Sequence, residues 1–231
     1  MHKTRRLFIG LWLITLLFSA RHGFAQKDEV WGSWFLGYVE YSYSPKLFTY
    51  IEVQDRNQSL FRHFNYYEIK GGIGYRFYDN FSALFGFGNY NTYDWEDLSA
   101  PKITEEWRIW EQFIMVQNLQ RLRFEHRFRA EQALISGKYR NRFRYRLNLT
   151  AALNKRKIEK GALYFSVFNE IFLTNNAPYF MRNRFYAGLG YQLSNSLGMG
   201  LGWVNQFNYN LKAAGGKNSL MLSVTLRLSR K

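Results

Sequence analysis

The stretch RLRFEHRFRAEQALISGKYRNRFRYRLNL, residues 121–149, carries eight arginines in an alternating register. Arg121, Arg123, Glu125, Arg127, Arg129 and Glu131 share one parity, and Leu122, Phe124, His126, Phe128 and Ala130 share the other. After the break at ISGK, Arg140, Arg142, Arg144, Arg146 and Asn148 oppose Phe143, Tyr145, Leu147 and Leu149. A period of two over ten or more residues is the pattern of long strands with two unlike faces. Interleaved arginine and aromatic residues also suggest nucleic acid. Strict alternation and the export signal described below argue against that ligand.

The same period runs through the rest of the chain. In residues 47–56, Leu47, Thr49, Ile51 and Val53 alternate with Phe48, Tyr50, Glu52, Gln54 and Arg56. In residues 67–77, Tyr67, Ile69, Ile73, Tyr75 and Phe77 alternate with Glu68, Lys70, Gly72, Gly74 and Arg76. Segments 182–193 and 220–229 repeat the pattern. Short turns at 78–80, 118–120 and 194–196 take turns with longer polar loops at 56–64, 92–103, 174–180 and 210–218. That rhythm, with Tyr, Trp and Phe at strand ends, predicts a transmembrane antiparallel β-barrel with tight periplasmic turns and longer outer loops. Eleven alternating segments can be counted between residues 30 and 229. Single-chain bacterial barrels have even strand numbers, so ten or twelve strands is the expectation, and WGSWFLGYVEYSY (31–43) is the doubtful segment.

A soluble periplasmic barrel or sandwich would show the same parity with the arginines facing water. Runs of ten to thirteen residues exceed the roughly five or six usual in globular proteins, and closure removes the edges such strands would expose. An arginine facing lipid at the midplane costs about 2–4 kcal/mol. Eight on two strands would forbid insertion, so the arginine faces are expected to line the lumen. The charged network read from these parities is Glu52, Arg56, Glu68, Arg123, Glu125, Arg127, Arg142, Arg144, Glu170 and Arg184, with Glu131 as a further acid. Arg–carboxylate forks suit a dense network across a narrow barrel. Either the network fills the interior and fixes register, or it lines a narrow pore that prefers small anionic solutes.

The ends bound the compartment. A basic start (Lys3, Arg5, Arg6), an apolar run from Leu7 to Phe18 and the small residues Gly23 and Ala25 have the layout of a signal peptide. That run is too short to span a bilayer as an anchor, and no cysteine follows it to carry lipid. Cleavage after Ala25 leaves a single domain, residues 26–231. It removes four basic residues (Lys3, Arg5, Arg6, Arg21) and no acid, so the net charge of +15 becomes +11. The expected location is the bacterial outer membrane. The expected partners are membrane lipid, lipopolysaccharide and the barrel assembly machinery, with no nucleic acid. The absence of cysteine rules out a disulfide framework.

The motifs, in order, resemble a family of bacterial outer-membrane proteins, the domain of unknown function numbered 2490. The resemblance rests on Trp31, Glu52 with Arg56, GGIGYRF (71–77), RIWEQ (108–112), RLRFEHRFR (121–129), RNRFRYRL (140–147), Asn169-Glu170 and Asn183-Arg184. It implies an outer-membrane barrel with an Arg/Glu-rich interior and carries no agreed activity. The chain ends LRLSRK, without the terminal aromatic common in outer-membrane strands.

Candidate chemistry is sparse. Beyond the signal segment the histidines are His63 and His126, far apart, so neither a metal site nor a cofactor is expected. His126, Ser136 and Asn141 follow the chain order used by barrel phospholipases, in which a histidine activates a serine. The surroundings, FEHRF, do not match that family's pattern, and Ser136-Gly137 reads as an ordinary turn.

Overall fold

A computed structural model describes residues 30–210 and 214–230. The proposed signal segment, 1–25, lies outside them. Among the described residues the chain forms β1 (Gly32–Ser42), β2 (Leu47–Ser59), β3 (Arg62–Tyr78), β4 (Phe81–Thr92), β5 (Thr104–Leu119) and β6 (Leu122–Ile135). It continues with β7 (Lys138–Ala152), β8 (Leu163–Thr174), β9 (Phe180–Gln192), β10 (Leu197–Asn208) and β11 (Gly215–Ser229). The strands close into one barrel in sequence order.

Eleven strands, not ten or twelve, make this barrel. Successive strands pair antiparallel, and the ring is sealed by a parallel pair, β1 on β11, over eleven residues from Gly32↔Ser219 to Ser42↔Ser229. An odd count needs one parallel seam, because β1 and β11 run the same way. The even-number expectation failed because it rests on membrane barrels whose termini share one side; a parallel pair satisfies the same backbone groups without that constraint. The doubtful segment 31–43 supplies β1. It hydrogen-bonds β2 on one side and β11 on the other.

The odd count also sends the two termini to opposite ends. Val30 enters at the end that carries the connections 93–103, 175–179 and 209–214, and Arg230 leaves at the other. Two loop assignments need correction, and one of them is 210–218, which ends early because β11 begins at Gly215. Residues 56–64 are not a loop: β2 and β3 run on through a bulge at Arg56/Asn57 and turn tightly at Leu60-Phe61. The ten-residue connection 153–162 sits among the short turns, at the end where Arg230 leaves. The Ser136-Gly137 turn is tight, with both residues at positive φ (45° and 82°), as a two-residue hairpin needs.

Parity decides the two faces. The outward residues include Ile51 (60% exposed), Phe87 (58%), Leu189 and Leu201. The inward residues form two apolar clusters with charge between them. One cluster is Phe48, Tyr50, Leu84, Tyr90 and Trp110; the other is Trp34, Tyr186 and Val204. Glycines make room for these rings. A Cβ on Gly86 would lie 2.4 Å from the Trp110 indole, so β4 must carry glycine where β5 sends its largest side chain inward.

Candidate functional site: a charged interior

The arginine faces of β6 and β7 point into the barrel, where two carboxylates gather them. Glu131 on β6 accepts from Arg142 Nε (2.7 Å) and Arg144 Nη1 (2.5 Å) on β7, and from Arg129 Nη1 (3.3 Å) on its own strand. Glu170 on β8 accepts from Arg127 Nη2 (2.5 Å) and from Arg144 Nε (3.0 Å) and Nη2 (2.8 Å), and lies 3.5 Å from Arg184 Nη1 on β9. Arg144 therefore bridges the two acids. Both glutamates are 1% exposed. The register explains the gathering: Glu131 stands directly opposite Arg142, and Glu170 directly opposite Arg146 and Arg184. Charges removed from water this thoroughly persist only when paired and hydrogen-bonded.

A second group lies on β2 and β3. Glu68 binds Lys70, Tyr66 and Arg56 Nη2 (3.2 Å), and Glu52 lies 2.6 Å from Lys70 Nζ. The Arg56 guanidinium stacks on Trp34 (3.9 Å) and Tyr66 (4.1 Å). A third group lies toward the end where Arg230 leaves: Glu125 with Arg146 (2.8 Å) and Arg123 (3.2 Å). All ten residues read from parity thus face inward, distributed over three linked clusters.

The ten-residue network left out four inward partners, although parity already put Lys70 and Arg129 on its faces. Lys70, Arg108, Arg129 and Trp110 stand on the same faces. Lys70 bridges Glu52 and Glu68, Arg108 is held by Glu106 and stacks on Tyr90 (3.6 Å), and Arg129 donates to Gln112 Oε1 (2.7 Å) and lies over Trp110 (4.8 Å). Their signal was present in the alternation of YEIKGG, RIWEQ and RLRFEHRFR. What was absent was any one-strand rule for which arginine meets which acid across the lumen.

The hydrolase constellation is not assembled. His126 faces outward and its Nδ1 hydrogen-bonds the Tyr145 hydroxyl (2.9 Å). Ser136 lies ten residues further along the same chain, past the end of β6, roughly 30 Å away at strand rise. Asn141 Oδ1 instead accepts from the Tyr139 hydroxyl (2.6 Å), and its backbone N–H donates to Asn175 Oδ1 (3.1 Å). Among the described residues no group of three or more metal-ligating side chains occurs.

The outward face carries a few polar pairs. Gln132 Nε2 donates to Glu111 (3.4 Å), and Asn169 and Asn183 exchange amide bonds (3.2 and 3.0 Å). These outward amides explain why Asn169 and Asn183 belong to the motif set without joining the interior network.

A family model described as a protein of unknown function (DUF2490) matches residues 31–215. The chain belongs to this family. The match begins beside β1, spans β2 to β10 and ends at the first residue of β11. No curated protein and no solved structure matches the chain.

Proposed function

We propose that this DUF2490 protein is exported, inserts in the bacterial outer membrane and serves as a structural or interaction barrel with a filled lumen. The observation that carries this reading is the buried Glu131–Arg144–Glu170 bridge, whose Arg144 lies over the buried Phe172 ring (4.4 Å). Side chains tied together inside a narrow barrel occupy the space that a conduction path would need. Insertion is supported by the outward band of Ile, Leu, Val and Phe, far larger than a soluble surface tolerates. It is supported also by ring contacts near both ends, such as Tyr41–Tyr43 and Tyr75–Phe77 at one and Phe180–Tyr209 and Phe207–Tyr209 at the other. Membrane lipid, lipopolysaccharide and the assembly machinery are the partners this reading implies.

The second reading is a narrow channel for small anions. Its support is that inward cations exceed the carboxylates available to them, Glu131 and Glu170 each being shared among three arginines. Expression with the intact leader, membrane fractionation and mass analysis of the mature product test location. The expected result is an outer-membrane protein beginning at Gln26 that changes gel mobility on boiling. Recovery as a soluble periplasmic protein would overturn the reading.

A further inference from the structure

The interior charge is not balanced evenly along the barrel. Toward the end where Val30 enters, the carboxylates are already taken. Glu131 and Glu170 serve three arginines each, and Glu106 is held by Arg108. Beyond them, among the described residues, three inward cations hydrogen-bond to neutral partners. Arg182 Nε donates to the Asn208 amide oxygen (2.6 Å), Arg140 Nη1 reaches the Met181 sulfur (3.6 Å), and Lys217 Nζ donates to the Gln58 backbone carbonyl (2.7 Å) and side-chain oxygen.

Of these, Arg182 stands among other guanidiniums, and Arg140 reaches the residue next to it, Met181. The Arg144, Arg184 and Arg182 guanidiniums lie 4.4, 5.1 and 5.5 Å from the centroid of the single Phe172 ring. Arg56 and Arg184 in turn lie over one Trp34 ring, 3.9 and 4.8 Å from its centroid. Both also keep a buried Nε without an acceptor. Like charges gathered in a partly desolvated space repel strongly unless a counter-charge joins them. Arg182 and Arg140 are half-buried rather than sealed, so the lumen mouth reaches them.

We propose that the barrel mouth around Arg140, Arg182 and Arg184 is a binding site for a tetrahedral oxyanion, a phosphate or sulfate group. Guanidinium forks match its oxygens, and several converging arginines favour a multivalent anion over chloride. The group is either a free anion or the phosphate of a lipid headgroup reaching the mouth. The site goes beyond the filled-lumen reading and does not depend on it, since a closed and a conducting barrel present the same mouth.

The test is thermal unfolding of the refolded mature protein in a neutral detergent at constant ionic strength. Inorganic phosphate, sulfate and, separately, dihexanoylphosphatidic acid below its micelle concentration replace chloride. A saturable rise in unfolding temperature is expected in wild type and in Arg227→Gln, a cation at the opposite end. Arg182→Gln and Arg140→Gln should raise the half-saturating concentration at least tenfold. In chloride alone Arg182→Gln should unfold at the same or a higher temperature than wild type, because it removes an unbalanced charge; a merely structural arginine would do the reverse. A response to phosphate alone assigns a soluble anion, and a response to the lipid alone assigns a headgroup. No saturable response to either, or equal responses in both arginine variants and wild type, would overturn the site.

Discussion

Glu131 concentrates the energetics of the interior in one side chain. It is nearly sealed from solvent and meets Arg129, Arg142 and Arg144. Replacing it by Gln keeps the shape and removes the charge, leaving three guanidiniums facing one another. Removing one partner of a buried ionic cluster costs about 3–5 kcal/mol, so Glu131→Gln should lose stability on that scale in urea titrations of the detergent-solubilised barrel. A loss below ~1 kcal/mol would mean that water already screens the cluster. Gly86 gives a second residue-level expectation. A methyl there meets the Trp110 ring at 2.4 Å, so Gly86→Ala should cost about 1–3 kcal/mol, the range for overpacking. Combining it with Trp110→Phe should cost less than the two single losses added, because the smaller ring yields the space. Additive losses would show that the strain lies elsewhere.

Among the elements, the parallel β1–β11 seam is the feature most specific to this barrel. The chain has no cysteine of its own, so a pair introduced at Phe35 and Leu222, partners in register on the outward face, reports the seam directly. Oxidation of Phe35→Cys/Leu222→Cys should give an intramolecular disulfide, read by mass spectrometry of protease fragments. A failure to cross-link, with Phe35 bonding a residue of another strand, would refute eleven-strand closure. Strand identity was legible in the sequence because burial on one face forces period two, as in Arg121–Ala130 and Arg140–Leu149. Strand number was not. WGSWFLGYVEYSY alternates poorly because Trp34 packs inward with Tyr186 and Val204 while Gly37 and Tyr38 fit neighbouring side chains. Parity placed the charged residues on the lumen side, but their pairing depends on shear between strands, which no single strand records. Arg144 finds Glu131 and Glu170 only once β6, β7 and β8 are side by side.

At the scale of the whole molecule, three clusters of charge and two of aromatic side chains fill the barrel and tie strand to strand from the inside. Arg127 on β6 reaches Glu170 on β8, and Arg56 on β2 lies over Trp34 on β1, which Arg184 on β9 approaches from the far side (4.8 Å). Such cross-links make the lumen part of the core, and stability and closure then rest on the same residues. That coupling separates a filled barrel from a pore with charged walls, in which loss of one lining pair would change selectivity but leave an open path. The measurement that addresses it is single-channel recording of the refolded mature protein in a planar bilayer under a KCl gradient, with folding and insertion verified by gel mobility. Wild type should be silent, and Glu131→Ala/Glu170→Ala should leak because the central bridge is gone. Steady, anion-selective conductance from the intact protein would contradict a filled barrel and make the arginines the lining of a pore.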